Sequence, residues 1–188
     1  AAAAGERRIR VLTTALSATP SMASLYRFAD LDAIVGVVLR QVAHGAANQT
    51  LQQLRESVAS SCVNILHTYR RACASSTSSG QLILPEALKL LPLYALALTK
   101  GPILRAGTDV RADERSALLA SATRMPVVAS VGFVYPRLFS VRELLEGETD
   151  ALPSTWPLSY DKFEPDDAYL LDDSRALYLY FGAAAPAE

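Results

Sequence analysis

The sequence predicts an α+β fold that is mostly α: a short strand, a long helical middle and a strand-bearing tail. Three observations carry this reading. Apolar residues recur at helical spacing over at least three segments between Asp30 and Leu98. The leucine-rich run from Leu82 to Arg105 is interrupted by Pro85 and Pro92. After Tyr135-Pro136 the texture changes, and two short strand patterns flank Asp172-Asp173-Ser174.

In chain order, Arg8 to Thr14 alternates as a strand with no partner near it, and Pro20 breaks the chain. Asp30 is suited to cap a helix whose apolar face is Leu31, Ile34, Val35, Val38, Leu39 and Val42, with Gly45 as its stop signal. Thr50 caps the next helix. Its stripe is Leu51, Leu54, Val58, Cys62, Ile65, Leu66 and Tyr69, with Arg55, Glu56 and Arg70 mostly off it. Ser75 to Gly80 reads as a polar surface loop.

Pro85 belongs in the first turn of a helix whose stripe is Leu88, Leu91, Ala95 and Leu98. Pro92 should kink that helix or divide it, and Gly101-Pro102 ends it. The run is long and apolar, but Glu86 and Lys89 lie inside it. Each would cost about 2.5–3.5 kcal/mol at mid-membrane, so a buried helix pair is favoured over a span. Asp109 or Asp113 then opens a helix carrying Leu118 and Leu119. Pro126 breaks it before the apolar run Val127 to Val134.

In the tail, Arg137 to Val141 reads as extended, and Leu144 to Pro157 as loop. Ala168 to Leu171 and Ala176 to Phe181 read as a hairpin, with Leu170, Leu177 and Leu179 as candidates for its inner face.

Composition bounds the function. Of 188 residues 51% are hydrophobic, enough for a core. The 18 basic and 19 acidic residues give no basic surface, so nucleic-acid binding is not expected. On one helix Cys62 and Cys73 would lie about 16 Å apart, beyond disulfide reach. Reduced thiols are expected. Asn48-Gln49-Thr50 fits the glycosylation pattern, but a used site is not expected. His44 and His67 stand alone, without metal-ligand spacing. The nine glycines are scattered and form no phosphate loop. The acidic run Asp161, Glu164, Asp166, Asp167, Asp172 and Asp173 fits no EF-hand and reads as a solvated approach to the hairpin. No catalytic, cofactor-binding or metal-binding residue is assigned, and no enzyme is expected.

The words RIRVLTTAL, ADLDAI, LPEALKLLPLYALALTKGPILR, DVRADERSALL, YPRLFSV and AYLLDDSRALYLYFG occur in that order. The chain resembles the cargo-adaptor subunit of the inner COPII coat, the Sec-twenty-four family, from about Arg7 to Gly182. Leu88 to Lys100 is the strongest part. With Tyr135-Pro136-Arg137-Leu138 it separates the adaptor from its GTPase-activating sister subunit. The resemblance implies a β-sandwich end strand (residues 1–19), a helical domain (20–134) and an incomplete, truncated gelsolin-like α/β domain (135–188). The family's hairpin usually carries Trp-x-Gly where this chain reads Tyr180-Phe181-Gly182, so an aromatic residue keeps the packing role.

The resemblance further implies a C-terminal fragment of a non-enzymatic structural subunit acting in ER-to-Golgi transport. Implied partners are the sister subunit, and cargo proteins and SNAREs bound by upstream domains. The family zinc site would also lie upstream, leaving no cofactor here. The implied location is cytoplasmic and peripheral, at endoplasmic reticulum exit sites and on COPII vesicles. Two other readings of the residues are a gelsolin-class actin- or calcium-binding protein, suggested by the tail, and an integral membrane protein anchored through Leu82 to Leu98.

Overall fold

A computed structural model describes residues 9–74, 83–146 and 152–185. Two capped helices open the bundle after a short helix, α1 (Met22–Arg27). In α2 (Leu31–Gly45) the Asp30 carboxylate accepts from the Ala33 N–H at 3.1 Å. In α3 (Leu51–Cys73) Thr50 and Gln53 form a reciprocal capping box, with side chain to backbone distances of 2.9 and 3.3 Å. Thr50 thus serves the helix start within the glycosylation-like triplet.

Proline divides the leucine-rich run, as expected. Pro85 precedes a single 3-10 turn, Glu86–Leu88. Pro92 sits in the first turn of α4 (Leu91–Lys100), where its missing N–H has no helical partner to lose. Among the described residues no helix is long and apolar enough to cross a membrane. The next helix, α5 (Ala112–Arg124), corrects one expectation. Arg111 occupies the cap position without a side-chain bond, Asp113 lies in the first turn, and Asp109 pairs with Arg105 at 2.9 Å instead. Pro126 then caps α6 (Val127–Val134).

Helix α2 is the centre of the bundle, touching α3, α4, α5 and α6. Val35, Leu39 and Val42 form one core with Leu54, Val58, Leu98 and Leu118. Arg40 fastens α2 to the α5–α6 corner by donating to the carbonyls of Gly36 and Met125. Arg115 donates to the carbonyls of Pro102, Ile103 and Arg105, and so holds the turn that buries Ile103 and Leu104. A second core joins Tyr26, Cys62, Leu88 and Leu91. There the Tyr26 hydroxyl donates to the Ile65 carbonyl at 2.8 Å. Of the predicted core, Leu54, Val58, Leu88, Leu91 and Leu98 are buried, while Leu31, Ile34, Val38 and Ile65 pack partly buried against them.

The tail is a three-stranded antiparallel sheet of β1 (Arg137–Ser140), β2 (Ala168–Asp172) and β3 (Leu177–Phe181), in that order. Helix α7 (Val141–Glu146) packs against β1 and β2. Leu144 to Glu146 are therefore helical rather than loop. Ser140 starts that helix: its hydroxyl accepts from the Glu143 N–H at 3.2 Å and donates to Asp167. Trp156 extends the sheet by one bridge, donating its N–H to the Leu138 carbonyl at 2.7 Å.

Two further expectations change. Residues 9–19 form no ladder, and Ile9, Val11, Leu12 and Leu16 are exposed. A strand exists only through a partner's hydrogen bonds, and no described segment supplies them. Leu170, Leu177 and Leu179 do share a face, yet Leu177 and Leu179 are more than half exposed. The best-buried strand side chain is Tyr169, on the opposite face, against Phe163 and Trp156. The Ser75 to Gly80 loop lies outside the described residues.

Candidate interaction surface

No described group of His, Cys, Asp and Glu is close enough to hold a metal ion. His44 and His67 are exposed, and neither belongs to such a group among the described residues. Cys62 and Cys73 are free thiols, and burial pushes the Cys62 thiol above its ordinary pKa, which makes it a poor nucleophile. The acidic run is spread out. Asp166 and Glu164 pair with Arg142 at 3.2 and 3.7 Å, and Asp172 pairs with Arg137. Asp167 departs from the solvated reading: it is buried, accepting from the Ser140 hydroxyl and from the Ala168 N–H.

Two surfaces among the described residues are open to contact. The hairpin tip shows how the local sequence builds one. Asp172 accepts from the Ser174 N–H at 2.8 Å, and Asp173 accepts from the N–H groups of Arg175 and Ala176. These Asx bonds hold Ser174 at φ 63°, a conformation uncommon for a residue with a side chain. The Ser174 N–H and then the Arg137 guanidinium hold the Asp172 carboxyl below its usual pKa.

The tip rests on α6 at Gly132. A Cβ built at Gly132 would come within 2.2 Å of the Ser174 hydroxyl oxygen, so a larger residue here requires that hydroxyl to rotate away. The contact closes one end of an open groove of about 610 Å³ between α4, α6 and the sheet. Leu90, at the cap of α4, and Leu93 and Tyr94 within it line the groove with Val128, Tyr135 and Trp156. Val128 is 85% exposed, and Leu90 and Leu93 face the same space. Asp32 and the Arg137–Asp172 pair supply its charged rim. Burial, then the nearby Asp32 and Tyr135, raises the Tyr94 phenol above its ordinary pKa, so its hydroxyl remains a neutral donor in the groove wall.

A second contact surface follows the sheet. Tyr160 stacks on Phe163, and Phe163 packs edge-on against Tyr180. This gives Tyr180 the packing role expected of the aromatic residue before Gly182. The sequence reading assigned no site residue and so missed both surfaces. Their available signals were the apolar residues of α4 that lie off the buried stripe, and the single glycine inside the largely apolar α6.

Comparison with known proteins places the whole arrangement. Residues 30–131 match the model of the Sec23/Sec24 helical domain, and residues 149–188 match that of the gelsolin repeat. The protein transport protein SEC24 C of Arabidopsis thaliana is 41% identical over 98% of this chain. The human protein transport protein Sec24C is 34% identical over 96% of it. In three dimensions the chain is similar to the crystal structure of the human COPII-coat protein Sec24c, with a TM-score of 0.77 and 30% identity over 89% of the chain. The chain spans 17% and 16% of the two relatives' lengths and 22% of the crystallised chain. Because these relatives match across both parts of the chain, the gelsolin-repeat match is the gelsolin-like part of the same kind of protein, and a separate gelsolin-class reading is not needed.

Proposed function

The chain belongs to the Sec23/Sec24 helical-domain family, and from that membership we propose that it is part of a COPII cargo-adaptor subunit acting in protein transport from the endoplasmic reticulum to the Golgi. The observation that carries the reading is similarity to Sec24-type relatives that runs through the helical bundle and the sheet together. The role is structural and non-enzymatic. The bundle is a rigid spacer, and the gelsolin-like sheet presents contact surface at one end of it. Division at Tyr135 separates the two, after an N-terminal stretch that forms no ladder within this chain and would become the end strand of a β-sandwich only when paired with the rest of that sandwich.

The partners fit the same proposal. The GTPase-activating sister subunit joins this subunit in the inner coat. Cargo proteins and SNAREs bind domains outside this chain, as does the zinc. Membrane association is peripheral and belongs to the assembled coat, at endoplasmic reticulum exit sites. This is compatible with the lack, among the described residues, of a helix that could span a bilayer.

A chimera tests the proposal. The matching segment of the Arabidopsis SEC24 C relative is replaced by these 188 residues, and the chimera is expressed in cells depleted of that relative. Recovery of secretory-cargo export and co-purification with the sister subunit are expected. A folded chimera that joins no coat complex and restores no export would overturn the reading.

A further inference from the structure

We draw no further inference here: the strongest candidate, the open groove between α4, α6 and the tip of the β2–β3 hairpin, is an unpartnered apolar face, and nothing in the structure shows what covers it.

Discussion

Alanine at Gly182 tests how the end of the sheet is closed. A Cβ at this position would lie 2.3 Å from the Pro165 carbonyl oxygen and 2.8 Å from that of Asp167. Both are main-chain atoms, so no side-chain rotation relieves the overlap. The backbone has to part, and the bonds at risk are Gly182 N–H to Asp167 C=O, 2.9 Å, and Ala184 N–H to Pro165 C=O, 2.7 Å. Over-packing alone costs about 1–3 kcal/mol, and each lost bond about 0.5–1.5 kcal/mol. These are alternatives for one displacement rather than additive terms. The stiffer unfolded chain returns about 0.4–1 kcal/mol. The net expectation is a loss of about 1–2 kcal/mol. Trp156, the only tryptophan, is bonded to β1 and packed on Tyr169, so its fluorescence in a denaturant titration reports this sheet. A loss below about 0.5 kcal/mol would refute the reasoning. Gly132→Ala is the contrast. There the obstructing atom is a serine hydroxyl whose rotation leaves the Ser174 Cβ at 3.4 Å, and helix propensity gains up to about 1 kcal/mol, so the change should be close to neutral.

Three more outcomes follow from the packing. Leu91→Ala should lower stability by about 2–5 kcal/mol in a chemical melt, because Leu91 is buried in the second core, and a loss under about 0.5 kcal/mol would remove it from that core. Ser140→Ala deprives α7 of its first cap and buried Asp167 of one of its two donors, so a loss of about 1–3 kcal/mol is expected; an unchanged melt would show that the Ser140 hydroxyl does not hold these groups. Asp172 has a folded pKa below its ordinary 3.8, so its contribution is complete above that value and disappears as the pH falls through the lower, folded value. Stability measured from pH 7 down to about 2 should fall more steeply in the wild type than in Asp172→Asn, and parallel curves would contradict the assignment.

The helical bundle was legible because its signals are local. Asp30 and Thr50 cap where a polar side chain precedes a periodic apolar stripe, and Pro92 and Pro126 divide helices through their own ring geometry. The cap of α5 was not legible, since Asp109 and Asp113 are both plausible and only the position of Arg105 draws Asp109 away. Helix α1 has six residues, too few to show a period. In β3 leucine and tyrosine alternate, both apolar enough for a core, so the pattern does not say which face is covered. Phe163 and Trp156 decide that, through contacts distant in sequence for Trp156. The groove beside α6 is likewise a property of three elements at once and has no one-dimensional signature.

The division of the leucine-rich run has a consequence for the chain before it folds. As it leaves the ribosome, Leu82 to Leu98 is the long leucine-rich stretch of these 188 residues. Residence in a bilayer requires a continuous rod of about 30 Å, roughly 20 residues. Pro92 limits the helix made here to ten residues, about 15 Å long. The imino acid that shapes the bundle thus also acts as a sorting mark: it leaves the leucines free to build a core in water while denying them the length that membrane insertion would need.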